Sequence, residues 1–373
     1  MKMFEFNMPV RCFAGKDVIE KHQEEIAVFG RKCLVVTGAS SAKKSGAQDA
    51  VEKAFRELKI EWTVYDGIGE NPLLTSCREA GQKGYDFGAE FVLGIGGGSP
   101  MDAAKAAAVF GANPGLSEAD FYAKNWEKEP LPIVLLGTTA GTGSEVTDVS
   151  VLTDSAGRKH SIHDPKLYAR LAFGDPSFTL SVPRSVTLST GLDVIAHAVE
   201  SYMSKKANRL SRGYSVTAVR TAFEPLLKAA CEFDRLSYED REALYEASLF
   251  AGLAIAVTGT VFPHNMGYYL TEEYKVPHGF ACAAYMKALL KYVKSADRKL
   301  YERFFEETGL SFRGLEDLLE QALPDFKKEY GIWAGDREIE SILPRWENNN
   351  SVKNTVGEVT LEDVRRFMEE SFE

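Results

Sequence analysis

Short apolar runs that are rich in β-branched residues alternate with helical patterns through the first half of the chain. The clearest strand signals are CLVVT at 33–37, EWTVY at 61–65, FVLGI at 91–95 and PIVLL at 132–136. Segments 46–58 and 74–84, which lie between strands, carry the apolar spacing of amphipathic helices. This alternation predicts an α/β layer built on a largely parallel sheet.

The second half of the chain has a different apolar pattern. A turn-rich segment with two prolines, GDPSFTLSVPR at 174–184, precedes sequence in which strand signals nearly vanish. Apolar residues then recur with a helical period in four long segments, 189–203, 212–233, 238–257 and 281–293. Near the end of the chain, Thr360 and Asp363 have the spacing of a helix-capping box. We therefore predict an α/β domain over residues 1–180 and an all-helical domain over residues 181–373.

Composition places the chain among ordinary globular proteins. Its 373 residues are 45% hydrophobic and 26% charged, so two cores of normal size can form. The 44 basic and 54 acidic side chains leave a net charge of −10, which opposes binding to nucleic acid or to an anionic membrane. Five cysteines, widely spaced and without a CxxC pair, are expected to be reduced thiols.

Two features of the sequence bear on where the protein resides. The N-terminal MKMFEFNMPVR contains Glu5 and lacks the apolar core of a signal peptide. The stretch 247–271 has no Asp, Glu, Lys or Arg, but its strongly apolar part ends near Val257, short of the ~20 residues of a membrane span. A buried helix and a cytoplasmic protein are expected.

A glycine-rich turn, GIGGGSP at 94–100, follows a predicted strand and precedes an alanine-rich helix over 101–110. Ser99 is expected to cap that helix, with Pro100 at its first position. Consecutive glycines let a ligand approach the backbone, and the helix N-terminus favours an anion such as a pyrophosphate. The turn is not GxGxxG, so a tight turn without a ligand remains the alternative. The candidate phosphate-binding loop therefore runs from Gly94 to Pro100.

A second polar turn, LGTTAGTGSE at 136–145, also follows a predicted strand. Its small hydroxyl side chains suit a surface that contacts ribose and nicotinamide, although a simple turn remains open. The candidate residues are Thr138, Thr139, Thr142 and Ser144.

An aspartate and a histidine are placed four residues apart in GLDVIAHAVE. On a helix, Asp193 and His197 would share one face, and the apolar residues around them indicate that this face is buried. A buried carboxylate needs a cation or dedicated hydrogen bonds. For this pair alone, an Asp–His hydrogen bond would be the simpler interpretation.

Two further histidines change that interpretation. His264 follows a proline in the uncharged stretch, and His278 lies between Pro277 and Gly279. Together with Asp193 and His197 they form a set of one carboxylate and three imidazoles. Such a set suits a divalent first-row metal, Fe²⁺ or Zn²⁺, that acts as a Lewis acid.

The segments GGGSPMDAAKA, TTAGTGSEVT and GLDVIAHAVESY, together with His264 and the later PHG, resemble the iron-containing, or group III, alcohol dehydrogenase family. The resemblance implies a Rossmann-like nucleotide-binding domain, a helical metal-binding domain, an active site in the cleft between them, and a homodimer. It implies Asp193, His197, His264 and His278 as metal ligands. It also implies that Gly96 to Ser99, with Asp102, bind the pyrophosphate, that Thr138, Thr139, Thr142 and Ser144 line the nicotinamide side, and that Lys159 lies near the cofactor.

One position departs from the family pattern. Many relatives have a histidine four residues after the third ligand, where this chain has Tyr268. A phenol, with an ordinary pKa of about 10, is a poorer proton carrier than imidazole at neutral pH. Tyr268 is therefore either a catalytic residue of altered proton relay or a packing residue beside Tyr269 and Leu270.

The choice of nicotinamide cofactor is predicted from the turn after the first strong strand. NAD-specific enzymes usually have an acid there, which binds both ribose hydroxyls and repels a 2′-phosphate. This chain has Gly38, Ser40 and Ser41, then Lys43 and Lys44, and no acid. The turn therefore predicts NADP(H) over NAD(H), although the lysines alone would also suit the start of a solvated helix.

Three functions fit these residues in different degrees. The favoured one is a metal-dependent dehydrogenase that transfers a hydride between a nicotinamide cofactor and a small alcohol or aldehyde. The alternative is a lyase of the dehydroquinate synthase type, which would need a basic pocket for a sugar phosphate. A non-enzymatic binding protein would not need four inward-facing metal ligands.

Overall fold

The computed structural model describes residues 3–332 and 336–372. The chain divides into two compact units, Glu5–Val182 and Pro183–Glu373. In the first unit the strands are β1 Arg11–Ala14, β2 Lys32–Thr37, β3 Glu61–Tyr65, β4 Phe91–Gly96, β5 Ile133–Gly137, β6 Val149–Thr153, β7 Lys159–His163 and β8 Leu171–Gly174. Its helices are α1 Val18–His22, α2 Ser41–Lys44, α3 Ala47–Leu58, α4 Leu74–Phe87, α5 Gly98–Ala112 and α6 Glu118–Ala123.

Six strands form one parallel sheet in the order β1-β8-β5-β4-β2-β3, while β6 and β7 form a separate antiparallel pair. The four strands predicted from apolar runs are all present, and the α/β fold class is confirmed. Four further strands, β1, β6, β7 and β8, were not predicted from the sequence. Each has only four or five residues, and β6 and β7 mix polar with apolar side chains, so their local signal is weak.

Each central strand sends alternate side chains to opposite faces of the sheet. On one face, Leu34 and Val36 of β2 pack with Ala80 of α4 and Phe110 of α5. The other face carries Cys33 and Val35, which belong to the apolar cluster of α3. Helices therefore cover both faces, as a parallel sheet requires.

The strand order contains a topological switch point between β2 and β4. From β2 the chain runs through α3 to β3, on one side of the sheet order, whereas from β4 it runs through α5 to β5, on the other. Turns that leave neighbouring strands in opposite directions open a crevice at the carboxyl edge, where α/β proteins bind ligands. Both the Gly38 turn and the glycine turn lie at this edge.

The second unit is helical. Its helices are α7 Arg184–Tyr202, α8 Arg209–Cys231, α9 Tyr238–Thr258, α10 Phe262–Tyr274, α11 His278–Ala283, α12 Met286–Ala296, α13 Arg298–Thr308, α14 Phe312–Ala322, α15 Phe326–Tyr330, α16 Asp336–Ile342, α17 Asn350–Asn354 and α18 Leu361–Phe372. The capping box predicted for the last helix is present: the Asp363 N–H donates to Thr360 Oγ1, and the Thr360 N–H donates to Asp363 Oδ2.

The helix predicted over 281–293 is wrong in one respect, because the structure has two helices there. The break falls at Tyr285, whose φ of −94° and ψ of 3° leave the helical region. Tyr285 is fully buried and contacts Phe372 edge-on, with ring centroids 5.6 Å apart. This tertiary contact lies outside what local periodicity encodes.

No single helix within residues 3–332 and 336–372 is long and apolar enough to cross a membrane. Among these residues, α9 and α10 taken together have the length and apolar composition of a membrane span, but they are bent by 109° relative to each other.

Candidate metal centre and nucleotide turns

The glycine turn joins β4 to α5. Gly96 has a φ of 153°, a conformation that favours glycine, and Gly97 is the N-cap, so the helix begins two residues earlier than a cap at Ser99 predicts. No side chain in the described structure caps this end. The first N–H groups of a helix have no intrahelical acceptor, so this partly exposed end can receive an anion.

The two predicted polar turns lie against each other. A Cβ added to Gly97 would lie 2.8 Å from Thr139 Oγ1, and one added to Gly98 would lie 2.6 Å from Thr142 Cγ2. Both distances are shorter than normal contacts. The glycines are therefore needed for the close approach of the second turn as well as for any ligand.

A buried network ties the second turn to α5. Ser144 Oγ donates to Asp102 Oδ1 over 2.6 Å, and the Val151 N–H donates to Asp102 Oδ2 over 2.9 Å. Lys105 Nζ donates to the backbone carbonyl oxygen and to Oγ of Ser144, both over 2.8 Å. It also lies 3.8 Å from Asp102 Oδ1. Burial raises the pKa of Asp102 and lowers that of Lys105, while each opposes the other's shift through its charge.

This network gives Asp102 and Ser144 a positioning role, and their contact with a cofactor stays a prediction. Thr138, which directly follows β5, is buried, and its N–H donates to the Gly96 carbonyl oxygen over 2.9 Å. Lys105 was not among the site residues predicted from the sequence. It is the single charged residue in the otherwise apolar helix segment AAKAAAVF, and this position could have indicated a buried lysine with a specific partner.

The other predicted cofactor-binding residues lie elsewhere in the first unit. Lys159 donates from Nζ to Asn71 Oδ1 over 2.9 Å. Gly38 is half-buried after β2, and Ser40 and Ser41 are exposed at the start of α2. Lys43 Nζ lies 3.8 Å from Oδ2 of Asp66, an acid after β3 that the prediction for this turn did not consider.

The four predicted metal ligands converge within the helical unit. Asp193 and His197 lie on α7, His264 lies on α10, and His278 is the first residue of α11. From Asp193 Oδ1 the distance is 3.4 Å to Nε2 of His264 and 3.9 Å to Nε2 of both His197 and His278. The rings of His197 and His264 are stacked, with centroids 4.4 Å apart.

The centre is largely buried. Asp193 and His264 are each 2% exposed and His197 is 5% exposed, whereas His278 is half-buried. Burial alone would raise the pKa of Asp193, but the three imidazoles hold it well below its usual range. Burial alone would lower the pKa of His264, but Cys282, Glu200 and Asp193 raise it well above its usual value.

Glu200 completes the histidine arrangement and was missed from the sequence. Its Oε1 lies 2.5 Å from His264 Nδ1, and its Oε2 accepts from the Val261 N–H over 2.9 Å. A carboxylate on Nδ1 fixes the tautomer and directs Nε2 toward a metal. Its place in the site could have been predicted from its position, because Glu200 is seven residues after Asp193 and lies on the same face of α7.

Cys282 is the second residue that the sequence analysis left out of the site. It is fully buried on α11, and burial raises the pKa of its thiol to about 11. The ligand atoms of Asp193, His264, His278 and Cys282 all lie within 4.8 Å of one another. Cys282 is four residues after His278, the same spacing as between Asp193 and His197. This spacing could have predicted from the sequence that Cys282 lies beside His278.

Glycines set the approach of the helices that carry these groups. A Cβ added to Gly279 would lie 1.8 Å from the Ser189 oxygen, so only glycine lets α11 pack this closely on α7. A Cβ on Gly267 would lie 3.0 Å from the backbone nitrogen of Cys282, so α10 also approaches α11 closely. The PHG motif therefore combines a donor with the contact that positions it.

Tyr268 lies beside the centre rather than away from it. It is half-buried one turn after His264, and its ring is stacked on that of His278, with centroids 5.7 Å apart. This position agrees with both roles considered for it, packing and proton transfer.

Sequence models of two protein families match the chain. The one described as iron-containing alcohol dehydrogenase matches residues 9–176, and the one described as Fe-containing alcohol dehydrogenase family, C-terminal, matches residues 187–331.

Individual proteins agree with those matches. Long-chain-alcohol dehydrogenase 1 from Geobacillus thermodenitrificans is 32% identical over 81% of this chain and 76% of its own. NAD-dependent methanol dehydrogenase from Bacillus methanolicus is 28% identical over 90% of each chain. NADPH-dependent butanol dehydrogenase from Clostridium saccharobutylicum is 26% identical over 88% and 87%. The crystal structure of an iron-containing alcohol dehydrogenase from Thermotoga maritima covers 99% of both chains, with a TM-score of 0.88 and 35% identity.

Proposed function

This chain belongs to the iron-containing alcohol dehydrogenase family, and from that membership we propose that it transfers a hydride between a nicotinamide cofactor and a small alcohol or aldehyde. The observation that carries the proposal is the convergence of one carboxylate and three imidazoles in a largely buried site of the helical unit.

The donor set fits a divalent metal. Asp193 Oδ1 and His264 Nε2 are buried and make no hydrogen bond to any part of the chain that the structure describes. Such atoms are costly to bury unless a cation pairs with them. Asp193, His197, His264 and His278 would hold the metal, which supplies Lewis-acid polarisation of the alcohol or aldehyde oxygen.

The protein's own groups prepare this site. Glu200 holds the His264 ring, so that Nε2 points toward Asp193. The buried surroundings exclude water, which strengthens every charge interaction in the site. We propose that Tyr268, whose ring is stacked on that of His278, acts in proton transfer.

The nucleotide unit supplies the anion site. The partly exposed backbone of Gly97, Gly98 and Ser99 at the start of α5 would bind the pyrophosphate, and Thr139 and Thr142 border the same turn. Its place at the switch point of the sheet supports this assignment.

For the cofactor we propose a preference for NADP(H). Gly38, Ser40 and Ser41 provide a turn without an acid, and Lys44 is exposed beside it. Asp66 partly offsets Lys43, so the serines and Lys44 carry more of the preference than the sequence suggested. The names of the relatives include both NAD and NADPH, so the family leaves this choice to local residues.

A direct assay tests the function. Metal-loaded protein is given short alcohols, diols and aldehydes with each cofactor, aerobically and anaerobically, and nicotinamide absorbance is followed. We expect turnover that His278→Ala abolishes together with bound metal, measured by elemental analysis. Tyr268→Phe is expected to alter the pH dependence of kcat/KM if the phenol carries a proton, and to leave it unchanged if the ring only packs.

Two results would contradict the proposal. One is full metal occupancy and normal turnover in His278→Ala. The other is conversion of a sugar phosphate without net change in the cofactor, which would favour the lyase.

A further inference from the structure

Cys282 lies among the groups that would hold the metal. We propose that Cys282 is a donor of the metal centre and that its sulfur makes this centre favour zinc over ferrous iron. The inference rests on the metal centre proposed above and adds a ligand to it.

The helix that carries His278 also places the thiol. Cys282 lies one turn after His278 on α11, so both side chains are on one face. The sulfur is 3.6 Å from Nδ1 and 3.7 Å from Nε2 of His278. Gly279 holds this turn against α7, which fixes both side chains relative to Asp193.

The distances match those between neighbouring donors on one metal ion. With metal–nitrogen or metal–oxygen bonds of about 2.0 Å and metal–sulfur bonds of about 2.3 Å, tetrahedral geometry separates two N/O donors by about 3.3 Å and a sulfur from a nitrogen by about 3.5 Å. The observed Asp193 Oδ1 to His264 Nε2 distance is 3.4 Å, and Cys282 to His278 Nε2 is 3.7 Å. Nε2 of His197 and Nε2 of His278 both lie 3.9 Å from Asp193 Oδ1, a somewhat longer separation.

The cluster also contains buried atoms that lack a hydrogen-bond partner. Asp193 Oδ1 and His264 Nε2 belong to residues that are each 2% exposed, and neither makes a hydrogen bond within the described residues. Both are members of the same group of four as Cys282. A cation bound there would pair with Asp193 Oδ1 and His264 Nε2, and the Cys282 sulfur would be close enough to bind it.

A sulfur donor changes which metal the site prefers. Thiolate is a softer ligand than imidazole or carboxylate and favours zinc, while carboxylate and water suit harder ions. Sites made of nitrogen and oxygen already bind zinc more tightly than ferrous iron. The informative quantity is therefore the change in the zinc-to-iron affinity ratio when the sulfur is removed.

Cobalt(II) reports the ligand directly. The full-length protein is stripped with a chelator and titrated anaerobically with cobalt. We expect visible d–d absorption from a bound ion and a near-ultraviolet charge-transfer band from sulfur. In Cys282→Ser the near-ultraviolet band should vanish while the d–d absorption remains, and Cys231→Ser, an exposed cysteine at the end of α8, should keep both bands.

Metal competition measures the consequence. Zinc and ferrous iron are competed against a common chelator in the wild type, Cys282→Ser and Cys282→Ala, and bound metal is quantified by mass spectrometry. We expect both variants to lower the zinc-to-iron affinity ratio by about ten-fold, because each variant removes the softest donor of the site. Circular dichroism verifies that the variants are folded.

The outcomes separate this inference from the metal centre itself. Cobalt d–d absorption without a sulfur band, or an unchanged zinc-to-iron ratio in both Cys282 variants, overturns the role of Cys282 and leaves the centre standing. Absence of d–d absorption in the wild type overturns both. Loss of the sulfur band in Cys231→Ser would also overturn it, because the band would then come from another thiol.

Discussion

Glu200 organises the metal centre without being one of the predicted donors. It holds His264 through Nδ1 and also accepts the Val261 N–H, so one carboxylate aligns the ring and fastens the start of α10 to α7. Its burial would be unfavourable without these partners, because a charged group loses its hydration there.

We expect Glu200→Gln to weaken metal binding by about 10–100-fold, the usual effect of losing a carboxylate behind a metal-binding histidine. Chelator competition measures the affinity. Glu246→Gln, an exposed glutamate on α9, is the matched control and should bind metal normally. Equal affinity in Glu200→Gln and the wild type would show that Glu200 has only a packing role.

Gly38 is the residue at which cofactor preference can be changed. An aspartate there would oppose the 2′-phosphate of NADP(H) and accept hydrogen bonds from the ribose of NAD(H). A Cβ at this position would lie 3.1 Å from the Ile68 oxygen, which requires a small local shift.

We expect Gly38→Asp to move the ratio of kcat/KM values toward NAD(H), by an amount on the order of ten-fold, and Gly38→Ala to report the steric shift alone. Steady-state kinetics with both cofactors decides this. A wild-type preference for NADH, or a Gly38→Asp variant that still favours NADPH, would refute the role given to this turn.

The approach of α11 to α7 depends on one missing Cβ. His278 and Cys282 both lie on α11, so any displacement of this short helix moves two groups of the site at once. The contact of Gly279 with the Ser189 oxygen leaves no room for a methyl group.

We expect Gly279→Ala to lower the free energy of unfolding by about 1–3 kcal/mol, the usual cost of overpacking, and to weaken metal binding. Denaturant unfolding and chelator competition measure the two effects. Gly213→Ala in α8, where a Cβ would meet nothing within 4 Å, should be neutral or slightly stabilising. Normal metal affinity in Gly279→Ala would mean that α11 can shift without disturbing the donors.

Across the molecule, metal binding should stabilise one unit selectively. The proposed donors come from α7, α10 and α11, which belong to the Pro183–Glu373 unit, and none comes from the parallel sheet. A ligand that binds only the folded state stabilises it by about 4 kcal/mol at a thousand times its Kd.

Metal removal is therefore expected to speed hydrogen exchange in α7, α10 and α11 and to leave β2, β4 and β5 protected. Exchange followed by mass spectrometry, with and without chelator, tests this. Restored zinc should restore the protection. An equal loss in the strands would show that the metal stabilises the whole chain rather than one unit. The predicted homodimer is checked in the same samples by sedimentation.

The sequence alone determined the parts of this protein that depend on short-range pattern. Alternating apolar runs predicted β2 to β5, and helical periodicity predicted the long helices α7, α8 and α9. Asp193 and His197 could be paired because four residues is one helical turn. The family resemblance, carried by GGGSP, TTAGTGSE, GLDVIAHAVE and PHG, is confirmed by the family matches.

Tertiary structure decided which distant groups meet. Glu200 contacts a histidine 64 residues away, and Lys105 reaches Ser144 across 39 residues, through packing that no local pattern encodes. Cys282 carried no metal-binding spacing with another cysteine, and only the approach of α11 to α7 places its sulfur near Asp193. Periodicity states which face of an element is buried; the close packing of side chains from several elements determines what that face touches.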